Sequence, residues 1–231
     1  RKWKGLTKLF HLHARHENKS ESTHTGTLVE VEKLKSVMYG LAIGDALGVP
    51  YEFQQRDTFN CTGMIGHGEH NQPAGTWSDD TALSLATLDS LTECHGEVNT
   101  ADMLMRYRMW LEHGMYMPDG NTFDSVATAI RSRHGCDGLN DNGNGSLMRV
   151  APCAFYNLPD VEIKQVSAIT HAHEISMTAC VQYVRILEGL LHCNPPHKAI
   201  EDSGFPFDPT IPRTEVESDG FVVHTLNAAL W

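Results

Sequence analysis

None of the six cysteines, at 61, 94, 136, 153, 180 and 193, is spaced as C-x-x-C or as a zinc-binding pair. A structural zinc site is therefore not expected, and free thiols in a reducing, cytoplasmic compartment are. Cys180 and Cys193 lie in or at the end of an apolar helical run, where buried thiols are the expectation. Positive charge is also scarce. Eighteen Lys and Arg face 29 Asp and Glu, a formal net charge of −11, which argues against general nucleic-acid binding. A phosphate-bearing ligand stays compatible, because a bound metal ion can supply positive charge locally. No apolar stretch reaches the length of a membrane span, so no membrane partner is expected. No secretory signal pattern is visible. There is no twelve-residue EF-hand loop, which removes that route to calcium. Internal repeats and convincing strand alternation are both missing, and the predominant signal is α-helical.

What is present begins with Trp77-Ser78-Asp79-Asp80-Thr81. Ser78 is placed to cap a helix, with Thr81 three residues later. Asp79 and Asp80 then fall in the first turn, where unpaired N–H groups and the helix dipole favour negative charge. A capped surface helix has the same pattern. Upstream, however, stand Gly44-Asp45-Ala46-Leu47-Gly48 and Glu52, and clustered hard oxygen donors on a rigid backbone are what Mg²⁺ or Ca²⁺ requires.

Taken in order, residues 1–28 mix Lys, Arg, His, Ser and Thr and include His11, His13 and His16. Their composition describes a solvated, mobile extension. Val31, Leu34, Val37, Met38 and Leu41 recur at helical spacing and lead into Asp45, a carboxylate on a mostly apolar helix that Pro50 ends. Residues 54–76 read as a long loop of functional length, with His67 and His70 solvated. A helix from Asp79 to about Cys94 follows, then one capped by Thr100 and ended by Gly114, then a short one starting at Asn121 or Thr122. Residues 135–145 carry Gly, Asn and Asp suited to left-handed turns and exposed N–H groups. Ser146 is expected to cap a helix through Leu147, Met148, Val150 and Ala151, and backbone amides at such a start suit phosphate, with Arg149 as a charged partner. Helices through Val161–Ile169 and Met177–Leu191 come next, then a proline-rich connection over 194–218, then an apolar helix from Val222.

In this order the motifs resemble the ADP-ribosylglycohydrolase family, which includes the dinitrogenase-reductase-activating glycohydrolases. The matching stretches are Gly44 to Phe53, Trp77 to Thr81, Gly143-Asn144-Gly145-Ser146-Leu147-Met148-Arg149 with Pro152, Thr170-His171, and Phe221 to Trp231. The resemblance implies an all-α fold, a compact orthogonal helical bundle, with two Mg²⁺ ions in the complete site. It implies a hydrolase that removes ADP-ribose from modified protein side chains by cleaving an N- or O-glycosidic bond. Ser78, standing where the family often has Thr, would ligate metal with Asp79 and Asp80. Glu52 would ligate a metal or activate water, and Glu52 and Asp80 would be catalytic. Asp45 would support the site. The loop of Gly143, Asn144, Gly145 and Ser146 would cradle the diphosphate, and His171 would line the ribose pocket. ADP-ribose or an ADP-ribosylated protein is the expected partner.

A later acidic motif of the family, Asp-x-Asp-Thr, is not among the 231 residues. The expected organisation is therefore a mobile extension over 1–28 and a C-terminally incomplete ADP-ribosylglycohydrolase-like domain over 29–231. Fewer ions and impaired turnover would follow. The alternative is a silent relative that serves as an ADP-ribose-binding or structural protein.

Overall fold

Seven α-helices, linked by loops and short 3-10 turns, make up the described part of the chain, with isolated β-bridges and no strand among the described residues. The structure, a computed structural model, describes residues 24–123, 130–131 and 135–231. The expectations for most of the extension at 1–28, with His11, His13 and His16, and for the helix crossing 124–129 lie outside the described residues. The helices are α1 (His24–Gly48), α2 (Asp79–Glu93), α3 (Thr100–His113), α4 (Asp160–Ala168), α5 (Glu174–Leu191), α6 (Pro196–Ser203) and α7 (Val222–Leu230). None is long and apolar enough to cross a membrane.

The helices begin and end where local chemistry dictates. Asn99, rather than Thr100, caps α3, its side chain accepting from Asp102 N at 3.1 Å. Asn is the stronger cap because its carbonyl reaches the free amides without β-branching. Gly114 closes α3 in the left-handed region, at φ 63°. A Cβ there would lie 1.7 Å from the Gly120 carbonyl oxygen, so glycine is required twice over. The stretch after Ser146 departs from expectation. It forms two 3-10 turns, Leu147–Arg149 and Ala151–Phe155, instead of a helix. Pro152 cannot donate to a continuing ladder. Within the supposed connection at 194–218, Pro196 occupies the first turn of α6, the one helical place where its missing N–H costs nothing.

Two apolar clusters hold the bundle. The larger joins α2 and α3 to α5 and α7 through Leu83, Met103, Trp110, Cys180, Val184 and Leu226. Burying side chains of this size supplies the main stabilisation, about 1.5–3 kcal/mol for each large apolar residue. Cys180 lies in this cluster as expected, whereas Cys193 is exposed, because α5 ends before it. The smaller cluster packs Leu34, Met38, Ala42 and Ala46 of α1 against Trp77, Leu85 and Leu88. The i, i+4 spacing puts these four on one face. The face narrows from Leu and Met to Ala, so the C-terminal end of α1 can approach the start of α2 closely. Trp77 is itself fixed, its indole N–H donating to the Tyr116 carbonyl at 3.0 Å.

Ala42 is 1% exposed at this narrowing. Ala42→Leu is expected to wedge α1 away from α2 and cost about 1–3 kcal/mol. The urea unfolding midpoint measures it, and an unchanged midpoint would show that the contact is slack.

Candidate active site

The start of α2 is built by two helices. Ser78 caps it locally, its hydroxyl accepting from Asp80 N at 3.3 Å. The remaining donors are taken from outside. Asp45, near the end of α1, accepts from Ser78 N at 2.9 and 3.0 Å, from Thr81 N at 3.0 Å and from the Thr81 hydroxyl at 2.6 Å. A capping box normally draws this carboxylate from the helix's own third residue; here that residue is Thr81 and α1 lends the acid. Burial pushes the Asp45 carboxyl above its ordinary range, and the hydrogen bonds from Thr81 and Ser78 pull the other way.

Two further carboxylates, Asp79 and Asp80, stand in the first turn of α2. Asp79 is 2% exposed, and Asp80 is half-buried and accepts from the Ser78 hydroxyl at 3.2 Å. Glu52 follows the 3-10 turn Val49–Tyr51 that continues α1. Asp45, Glu52 and Asp80 line one cavity of about 570 Å³, whose walls include Leu41, Leu47, Tyr51 and Phe59. Tyr51 and Phe59 stack at 4.7 Å between ring centroids. Ser78 and Asp79 do not line it; both are buried. The donors are all oxygen, the type that a hard divalent cation takes. On that chemistry the residues fit Mg²⁺.

One partner of Glu52 was not legible in the sequence. His70, expected to be solvated, places Nε2 2.5 Å from Glu52 Oε2, with its side chain only 12% exposed. Their separation of 18 residues lies within an irregular loop, where no periodicity signals contact. The loop is held at its far side too: Arg56 donates to the carbonyls of Val216 and Arg213, and Arg213 pairs with Asp57 at 2.5 Å.

The second expected constellation also comes together, with corrections. Gly143 and Asn144 are half-buried and Gly145 and Ser146 buried. Ser146 makes no cap; its hydroxyl accepts from Ser167 at 2.9 Å and Cys180 at 3.4 Å. The Asn144 N–H donates to the Gly220 carbonyl at 3.0 Å, and the side chain reaches Thr225 at 3.3 Å, so the loop is stitched to the start of α7. His173 caps α5, accepting from Ile175 N at 3.3 Å, and Asn142, which the sequence did not single out, adds to the helix start by accepting from Ser176 N and Oγ at 3.2 and 2.8 Å. Arg149 is fully buried rather than open to a ligand. It donates to the Gly145 and Val166 carbonyls and lies 4.9 Å over the Tyr107 ring, bracing the loop from behind. His171 stands beside the loop, its Nε2 3.6 Å from where a Cβ on Gly143 would be. Burial and then the Arg149 charge push its imidazole down to about 4.

A further group, Glu217, Asp219 and His224, lies at the surface end of α7. His224 Nε2 meets Glu217 at 2.6 Å and Nδ1 meets Asp219 at 2.9 Å, so both ring nitrogens are already engaged.

Comparison with known proteins adds to this geometry. The model of the ADP-ribosylglycohydrolase family matches residues 27–231. The chain is 27% identical over 227 residues to the ADP-ribosylarginine hydrolase Tri1 of Serratia proteamaculans (strain 568), covering 87% of this chain and 62% of that protein. It is 31% identical over 171 residues to the ADP-ribosyl-(dinitrogen reductase) glycohydrolase of Rhodospirillum rubrum, covering 66% of this chain and 55% of that protein. The chain thus spans less than two thirds of the length of these curated relatives. A solved structure described as an ADP-ribosylglycohydrolase-related protein complex superposes with a TM-score of 0.69 at 28% identity, over 86% of this chain and 74% of that one.

The depressed His171 imidazole sets a pH dependence. Its folded value of about 4 lies below the ordinary 6.5, so between these values the unfolded chain binds the extra proton. The stability associated with neutral His171 is complete above pH 6.5 and is lost as pH falls toward 4. The loss is at most about 3 kcal/mol, at about 1.4 kcal/mol per pH unit. His171→Gln is expected to flatten this part of the profile in urea unfolding followed from pH 7.5 to 4.5. Parallel profiles for the two proteins would remove His171 as the cause.

Proposed function

The chain belongs to the ADP-ribosylglycohydrolase family, and on that premise we propose that it is a Mg²⁺-dependent hydrolase releasing ADP-ribose from modified arginine side chains of proteins. The observation that carries the reading is the shared cavity of Glu52 and Asp80 at the start of α2. The free cysteines suit a cytoplasmic setting.

Ser78, Asp79, Asp80 and Glu52 would hold the cation. When bound, Mg²⁺ would act as a Lewis acid and template for ribose hydroxyls and water. Glu52 takes a proton from the attacking water, whose oxygen forms a new bond to the anomeric carbon of the distal ribose. The bond from that carbon to the guanidino nitrogen breaks, and the leaving guanidine takes up the proton that Glu52 had accepted. The Asp80 carboxylate favours the oxocarbenium-like positive charge that develops between these events. The loop Gly143–Asn144–Gly145–Ser146 receives the diphosphate, and His171, neutral at physiological pH, lines the ribose side. Support for arginine as acceptor comes from the Serratia relative, an ADP-ribosylarginine hydrolase. The stacked Tyr51 and Phe59 beside carboxylates also suit a planar cation such as guanidinium.

The test measures ADP-ribose release from ADP-ribosyl-arginine and ADP-ribosyl-serine peptides, with Mg²⁺ and with chelator. Turnover on the arginine peptide that needs Mg²⁺ is expected. Glu52→Gln is expected to lower kcat by about 10²–10⁴-fold, the usual contribution of a general base, with a far smaller change in KM. Binding of ADP-ribose without any turnover would instead favour a binding protein.

A further inference from the structure

Glu52 lies beyond the helical ladder of α1. The residue follows a three-residue turn and precedes Phe53, a side-chain-bearing residue in the left-handed region at φ 61°. A glutamate so placed has three rotatable bonds, and a proton-accepting carboxylate works only when its oxygen faces the water it activates.

The opposing loop brings a constraint to Glu52. Residues 67–72 fold into a small hairpin: His67 N donates to the Gln72 carbonyl at 2.6 Å and Asn71 N to the Gly68 carbonyl at 3.1 Å. Side chains tighten it, with His67 Nδ1 3.0 Å from Asn71 Oδ1 and Gln72 Nε2 donating to the His70 carbonyl at 2.9 Å. The hairpin is pressed on the chain just ahead of Glu52. Gly68 has φ 69°, and a Cβ there would lie 2.3 Å from the Pro50 carbonyl oxygen. Only glycine permits this approach. The His70 ring lies against Phe53, at 5.7 Å, and Phe123, at 4.9 Å between ring centroids. Its Nε2 then meets Glu52 Oε2 at 2.5 Å.

From this geometry we infer that His70 is a positioning residue for Glu52, and that the hairpin 67–72 is the part of the site that aims the carboxylate. The inference rests on the proposed hydrolase reading, in which Glu52 activates water. His70 touches no reacting atom. It donates a hydrogen bond to one oxygen of the carboxylate and so fixes the direction of the other.

The test compares His70→Ala and His70→Gln with the unaltered protein. The Gln amide can place a donor near the position of Nε2. His70→Ala is expected to lower kcat about 10- to 100-fold, as loss of an orienting partner does elsewhere, with KM within about threefold. His70→Gln is expected to recover most of that loss. Crystal structures of the three proteins read the carboxylate itself: it should swing away in His70→Ala and return in His70→Gln. An unchanged kcat in His70→Ala, or an equal loss in both variants with Glu52 unmoved, would overturn the assignment. Should the unaltered protein release no ADP-ribose, the hydrolase reading fails separately. The structures then decide the positioning role alone, and an unmoved Glu52 in His70→Ala overturns it.

Discussion

The grip of Asp45 on the start of α2 is the contact on which the site depends. One carboxylate from α1 accepts from Ser78 N, Thr81 N and the Thr81 hydroxyl. Helix starts carry unpaired N–H groups whatever the sequence, and here a neighbouring helix pairs them. Two consequences follow from the one arrangement. The end of α1 and the start of α2 are locked in register, and the acidic pair Asp79 and Asp80 is fixed on a rigid frame. The tapering apolar face of α1, from Leu34 to Ala46, permits the approach that the Asp45 contact requires.

The same frame delivers Glu52. Because the turn Val49–Tyr51 continues directly from α1, locking α1 against α2 also brings Glu52 to the cavity that Asp80 lines. The hairpin 67–72 closes the assembly from the opposite side through His70. The start of α2 is held by buried hydrogen bonds, and Glu52 is met by His70 from the loop. The second constellation follows a similar logic, with Arg149 and Asn142 tying the loop at 143–146 to α4 and α5 from within.

Much of this was legible in the sequence, for identifiable reasons. The helices announced themselves through apolar spacing and through Ser78, Gly114 and Pro50, because these signals act within one or two turns. The oxygen cluster was visible because Ser78, Asp79 and Asp80 are adjacent. What escaped was tertiary. Asp45 was noted as a costly carboxylate, but its donors lie 33 and 36 residues away. His70 was read as solvated because its loop has no period. Ser146 looked like a cap, yet its hydroxyl faces Ser167 and Cys180, and Pro152 prevents the helix it would have capped. Helix α6 was hidden behind prolines that mark its entrance.

The placement of the cation separates this description from its rivals most directly. Anomalous diffraction from crystals soaked in Mn²⁺, a close oxygen-seeking substitute for Mg²⁺, locates it without reliance on turnover. Density bounded by Asp80 and Glu52 at the start of α2 is the predicted result. Density at Glu217, Asp219 and His224 alone, or none at either place, would contradict it.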